Sequence, residues 1–349
     1  MDNFFIHFVL CNITIGLFVL ILLCMKRIFK HCLTPRMQFN LWIPFTISLL
    51  VPFLPVSFST LSTKMHDLFH PLAHFSHTVH TTNTSEYTSS STNQIYDYAI
   101  SMRTQFPVYI STIFCVIWGI GMFVMLFSFV RSLVLLHHMR RTANLMQDKR
   151  IHDIYMTCLS ELQLRKSIPL YSSSIIDTPV STGILRPAIF LPLHHISNFE
   201  EQEIRYILLH ELMHCYYKDA IFNYCMNIIR ILYWFHPLIW LITKEFYTER
   251  ELACDTSVLR LLGANEQISY GVTLLHFVDK QTNTPLSLLN NLSENAKQMK
   301  RRILNIKQHQ PLTIQKKLRS ILSFLLSLLV ILCGRSEERR VGKECRSRW

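Results

Sequence analysis

Residues 197–217 read SNFEEQEIRYILLHELMHCYY, and everything else in the chain is interpreted from this stretch. Ser197 followed by Glu200 is a capping-box pattern, in which each side chain satisfies a free amide at a helix start. The spacing predicts a helix from there to about Tyr217, with Ile204, Ile207, Leu208 and Leu212 as its apolar stripe. On that helix sits His210-Glu-Leu-Met-His214. Two histidines at i and i+4 share a face, so both imidazoles reach one Zn2+ at about 2.0–2.1 Å. Glu211 is turned partly aside, where it can take a proton from an attacking water instead of ligating. The bland alternative is a coincidental pair on a surface helix, and the capped helix argues against it.

A catalytic site needs a third ligand. Downstream, Tyr247-Thr-Glu-Arg-Glu-Leu-Ala-Cys-Asp255 reads as a second helix carrying several acids. Glu251 and Asp255 are again four apart. One can ligate while the other orients a ligating imidazole one turn away. Glu245 and Glu249 compete by spacing alone. Upstream, 175–193 (IIDTPVSTGILRPAIFLPL) has apolar β-branched stretches around a Ser181-Thr-Gly183 turn signal, which predicts a hairpin or short sheet. An exposed strand of it can pair with an extended substrate.

Between the two metal-binding stretches, Ile221–Ile242 is apolar but broken by Asn223, Asn227, Arg230, His236 and Pro237. A membrane crossing there would put His210 and Glu251 on opposite sides. The expectation is therefore a buried or membrane-embedded helical hairpin.

The 349 residues are 50% apolar and 17% charged, against about 25% charged in soluble domains. A wholly soluble or disordered chain is excluded on that ground. The net charge of +12 fits cationic loops against an anionic membrane face better than nucleic-acid binding. The 10 cysteines are scattered without CxxC, which reads as reduced thiols. Phe4–Met25, Leu41–Phe58 and Tyr109–Val130 are three apolar runs of spanning length. Pro44, Pro52 and Pro55 predict kinks in the second. Lys26, Arg27, Lys30 and Arg36 mark 26–37 as cytoplasmic. Arg131, Arg140, Arg141, Lys149 and Arg150 do the same for the chain after 131, leaving loop 59–104 outside. That loop carries His66, His70, His74, His77 and His80, but Pro71 interrupts them and no acid or Cys cluster completes a site; a solvated polar loop is expected.

The resulting fold class is a mainly α membrane protein. It has four transmembrane segments, the fourth incomplete, and a cytoplasmic α+β domain, which the resemblance described next implies to be a gluzincin-like zinc metallopeptidase domain. Residues 1–131 hold three spans, 132–317 the peptidase domain, and 318–334 the start of the fourth span. Residues 335–349 resemble the translation of a sequencing adapter and are expected to be non-native.

Together, His210–His214, Asp219, Trp234-Phe-His-Pro237, Glu251-x-x-Cys-Asp255, the Asp177–Pro192 segment and Lys300-Arg-Arg-Ile-Leu-Asn-Ile306 resemble integral-membrane zinc peptidases. The family is that of the β-lactam sensor/antirepressor proteins of BlaR/MecR type, and the resemblance runs from residue 1 to about 333. It implies His210, His214 and Glu251 as zinc ligands, Glu211 as general base, and Asp219 and Asp255 as supporting acids. Arg301-Arg302 matches the site where such sensors are cut during activation, although a juxtamembrane basic cluster is sufficient by itself. His236 stands where the family often has Asn, and no role is assigned to it.

The resemblance also implies a bacterial plasma-membrane location. A cytoplasmic transcriptional repressor of β-lactamase or alternative transpeptidase genes would be the direct or indirect substrate. Membrane lipids are the other partner, direct nucleic-acid binding is not expected, and a homodimer is left open. No Ser-x-x-Lys lies in an extracytoplasmic position, so acylation by β-lactams is not expected, and fluorescent penicillin should give no labelled band. The rival readings are a housekeeping membrane zinc protease and a non-catalytic membrane signalling scaffold.

Overall fold

The computed structural model describes residues 2–29, 33–50, 108–164, 166–174, 176–192, 196, 199–282, 292–309, 321–322 and 324. Its helices are α1 (Asp2–Phe29), α2 (Pro35–Asn40), α3 (Trp42–Leu50), α4 (Val108–Thr142), α5 (Lys149–Glu161), α6 (Glu201–Tyr216), α7 (Asp219–Leu232), α8 (Pro237–Leu262), α9 (Gln267–Thr282) and α10 (Leu292–Lys307). The strands are β1 (Asn144–Leu145), β2 (Leu170–Ser173), β3 (Val180–Thr182) and β4 (Ala188–Pro192). The described chain is thus mainly helical with one small sheet.

The turn signal at 181–183 is a hairpin. β3 pairs antiparallel with β4, Ser181 opposite Ile189. Gly183 holds φ +103°, and a Cβ there would lie 2.4 Å from the Arg186 carbonyl oxygen, so no side chain fits the turn. β4 also pairs in parallel with β2, and β1 adds antiparallel to β2, giving the order β1-β2-β4-β3. Flanked on both sides, β4 is buried at all five residues, which its continuous apolar run AIFLP reflects. β3 is left at the sheet edge.

The helix carrying the histidine pair starts later than the sequence suggests. Ser197 and Asn198 lie outside the described residues, and α6 begins at Glu201 with Glu200 as its N-cap. The Glu200 amide donates to Glu203 Oε2 at 3.0 Å, so the reciprocal box is built from acids three residues further on. Phe199 supplies the reason. It is buried in the core, and its amide closes a turn onto Ile196.

α6 buries nine residues, including Ile204, Ile207, Leu208 and Leu212, against α5, α8, α9 and the sheet. Tyr155 of α5 fixes the approach to β2, since its hydroxyl bonds both the amide and the carbonyl of Ile168. α7 and α8 form the expected helical hairpin, turning at 233–236 with Pro237 as the first residue of α8. The acid-bearing stretch 247–255 lies inside α8, 26 residues long and ending at Gly263.

Two compact units divide the chain: residues 1–15 with 48–119, and 16–47 with 120–349. The second contains the sheet, the stretches 210–214 and 247–255, and α2, which packs along α8 through Phe39 against Phe246, with Trp42 at the start of α3 meeting the same ring. Thr34 caps α2 by accepting from the Met37 amide.

Among the described residues one helix is long and apolar enough to cross a membrane, Thr112–Thr142, which covers most of the expected third span. Its Phe123 and Phe127 are 68% and 63% exposed, an apolar surface that water would not tolerate along a whole helix. The first expected span coincides with α1, and the second starts in α3. Residues 51–107, with the outer-loop histidines, Pro52 and Pro55, lie outside the described residues, as do nearly all of 318–334 and the whole of 335–349.

Candidate metal centre

α6 carries His210, Glu211 and His214, all facing the interior of the second unit; α8 brings Glu251 opposite them. His210 Nε2 lies 3.2 Å from His214 Nε2 and 3.3 Å from Glu251 Oε2, and His214 Nε2 lies 3.8 Å from Glu251 Oε1. Ligands at 2.0–2.1 Å around a tetrahedral ion stand about 3.4 Å apart. The two Nε2 atoms and the two oxygens of the Glu251 carboxylate thus lie 3.2–3.8 Å apart, comparable with that spacing.

The hydrogen bonds on the far side of each ring set the tautomers. Asp219 Oδ2 sits 2.7 Å from His214 Nδ1, so Nδ1 carries a proton and Nε2 is the nitrogen left for a metal. For His210 the contact is indirect. The Tyr270 hydroxyl donates to Asp255 Oδ1 at 2.7 Å and so accepts from His210 Nδ1 at 3.0 Å. Asp255 itself stands 3.4 Å from Nδ1. Asp219 thus meets His214 directly and Asp255 reaches His210 through Tyr270, a relay that the sequence reading lacks.

Cys254 is a second addition. With His210 and His214 it offers donor atoms within 4.8 Å of one another. Its Sγ approaches His210 from the Nδ1 side, at 3.5 Å, and points its proton at the His210 carbonyl oxygen. The Nε2 and carboxylate set is the tighter of the two, and it leaves both Nδ1 atoms to their hydrogen bonds.

Two arginines contact these acids, Arg250, which the sequence reading does not single out, and Arg302, which it reads only as part of a basic pair. Arg250 donates to Glu251 Oε1 through Nε (3.1 Å) and Nη2 (2.6 Å), and is itself anchored on Asn223. Arg302 donates to both oxygens of Asp255 at 2.8 Å and stands 3.5 Å from Glu251. The neighbouring acids are engaged elsewhere, Glu245 by Arg301 and Glu249 by Lys26 and Trp42. Arg301 and Arg302 both lie within α10, and the Arg302 side chain, 12% exposed, is turned onto the site rather than displayed.

Charge follows from these contacts. Burial works against an ionised Glu251, but Arg250, His210, His214 and Arg302 hold its carboxyl well below the usual range. Burial also works against charged imidazoles. Cys254, Tyr270 and Asp255 nevertheless hold His210 well above the ordinary value, and Cys254, Asp219 and Glu251 push His214 up to about 10. The surroundings favour positive charge at this point, whether supplied by protons or by a metal ion.

Beside His214 a cleft of about 260 Å³ opens between the β3–β4 hairpin and the α6–α7 turn, lined by Ser181, Thr182, Leu185, Cys215 and Ile221 among others. Leu185 at the hairpin tip is 93% exposed. Burial, and then the nearby Glu211 carboxylate, push the Cys215 thiol up to about 12. Glu211 is itself buried, 8% exposed. His236 caps α8 without a side-chain hydrogen bond to the helix.

A family model described as BlaR1 peptidase M56 matches residues 6–306. The chain is 31% identical over 340 residues to the regulatory protein BlaR1 of Bacillus licheniformis, covering 95% of this chain and 56% of that protein. It is 26% identical over 250 residues to the methicillin resistance mecR1 protein of Staphylococcus aureus, covering 68% and 40%. The BlaR1 of Staphylococcus aureus is 24% identical over 322 residues, covering 88% and 51%. The chain thus spans about half the length of the curated relatives it matches.

Proposed function

The chain belongs to the BlaR1 peptidase M56 family, and from that premise we propose that it is a membrane zinc endopeptidase of an antibiotic-resistance signalling system. Its peptidase unit faces the cytoplasm, as the cationic segments 26–37 and 131–150 argue. Its action leads to loss of a DNA-binding repressor of β-lactamase or alternative transpeptidase genes. The observation that carries the enzymatic reading is the convergence of His210 Nε2, His214 Nε2 and the Glu251 carboxylate within 3.2–3.8 Å.

In this reading His210, His214 and Glu251 hold the zinc, and Asp219, Asp255 and Tyr270 fix the two rings. Zinc, when bound, supplies Lewis acidity and makes water acidic near neutral pH. Glu211 takes the proton of the attacking water and passes it to the leaving amine. The free edge of β3 pairs with the extended substrate backbone and leads it past His214. Cleavage of the chain itself at Arg301-Arg302 would require α10 to unwind first, because a helical bond with a buried side chain cannot lie extended in that cleft.

The test uses the full chain in detergent. One zinc per chain is expected, with chelator-sensitive cleavage of a co-expressed DNA-binding repressor of β-lactamase genes and recovery on adding zinc. A metal-free chain, or cleavage indifferent to chelator, overturns the reading. A finer outcome concerns the relay. Tyr270→Phe should weaken zinc retention by about 10–100-fold, read by chelator competition, because His210 loses the group that fixes its tautomer. Unchanged retention would remove Tyr270 from the site.

A further inference from the structure

The segment joining the first two apolar helices reads, from its charges alone, as a cationic cytoplasmic loop. In the structure two of its cations are instead turned inward and end on carboxylates beside the metal site. The Arg36 guanidinium lies 3.3 Å over the Tyr217 ring. Its Nη1 faces Asp219 Oδ1 across 3.8 Å, and neither atom has a hydrogen bond among the described residues. The other oxygen of Asp219 is the one that holds His214. Lys26 Nζ pairs with Glu249 Oε2 over the ring of Trp42, whose indole N–H donates to the same oxygen at 2.6 Å. Glu249 precedes Glu251 by two residues on α8. Lys26, Trp42, Asp219 and Glu249 are all buried.

We propose that Arg36 and Lys26 are positioning residues of the metal centre, Arg36 acting through Asp219 on His214 and Lys26 through Glu249 on the helix that presents Glu251. This rests on the metal reading given above. One contact ends on Asp219, the first residue of α7, whose other oxygen holds His214, and the other ends on α8 itself, so residues 26–42 set how closely the imidazoles and the carboxylate approach. The Arg36–Asp219 pair is short of hydrogen-bonding contact, whereas the Lys26–Glu249 pair is closed. Without Arg36, the buried Asp219 carboxylate loses the cation facing Oδ1. His214 must then balance it alone among its hydrogen-bonding partners, which shifts the ring away from the Nε2 geometry a metal needs.

The experiment takes the full chain in detergent, stripped of metal and titrated with zinc against a chromophoric chelator and with cobalt(II) in the visible. Arg36→Gln and Lys26→Met should each weaken zinc binding by about 10–100-fold and shift the cobalt ligand-field bands. Arg36→Lys should recover part of both. Leu159→Ala, a core truncation that touches neither carboxylate, controls for loss of stability. The proposal is overturned if both charge variants keep wild-type affinity and spectrum, or if Leu159→Ala reproduces their effect. A wild-type chain that takes up neither metal overturns the metal reading itself, and this inference with it.

Discussion

Arg302→Gln should lower the melting temperature of the full chain in detergent by about 6–20 °C, the equivalent of about 3–5 kcal/mol. Asp255 is 0% exposed, and both its oxygens accept from Arg302 at 2.8 Å. Removing the guanidinium strands a carboxylate where water cannot reach it, and that costs far more than the net worth of the pair. The adjacent arginine provides the comparison. Arg301 pairs with Glu245 at side-chain exposures of 37% and 36%, so Arg301→Gln should cost about 0–1 kcal/mol. Thermal melts of the two variants side by side decide the matter, and similar small shifts would refute the buried clamp.

The pH dependence has a definite sign. Burial alone would raise the Asp255 carboxyl, but Arg302 and then His210 hold it well below the usual range. A depressed folded pKa stabilises fully above the unfolded value of about 3.9 and is lost as pH falls through the folded one. The gap between wild type and Arg302→Gln should therefore stay constant from pH 6 to 8 and narrow only in acid.

What the sequence reveals about this site, and what it hides, divides by range. The pair His210 and His214 is legible because helical periodicity puts i and i+4 on one face whatever surrounds them. The β3–β4 hairpin is legible because Gly183 sits where only glycine fits the turn. Tyr270 is invisible: it lies 15 residues past Asp255 on a helix whose pattern is otherwise ordinary. Arg302 is visible as part of a basic pair but reads as surface charge, since composition cannot tell a solvated cation from a buried one. The same ambiguity hides Lys26, which is 7% exposed. The start of α6 is misplaced for a different reason. Ser197 is a good cap by its chemistry, but burying Phe199 forces a turn first, and tertiary packing overrides the local preference. Each failure is a contact between distant segments, and local pattern carries no information about those.

Glu211→Gln should reduce proteolysis by about 10²–10⁴-fold while zinc content stays near one per chain. Successive helix residues point about 100° apart, so Glu211 cannot share the face on which His210 and His214 present their Nε2 atoms. Glutamine keeps the size and the hydrogen-bonding outline but cannot accept the proton that must leave the attacking water. His214→Ala, by contrast, removes a donor whose Nε2 lies 3.2 Å from its partner's, so metal and activity should vanish together. Metal analysis and turnover measured on the same preparations separate the two roles. Loss of zinc from Glu211→Gln would make Glu211 a ligand or a structural residue. Retained turnover would move the proton transfer to another group and leave the buried Glu211 carboxylate without a catalytic purpose.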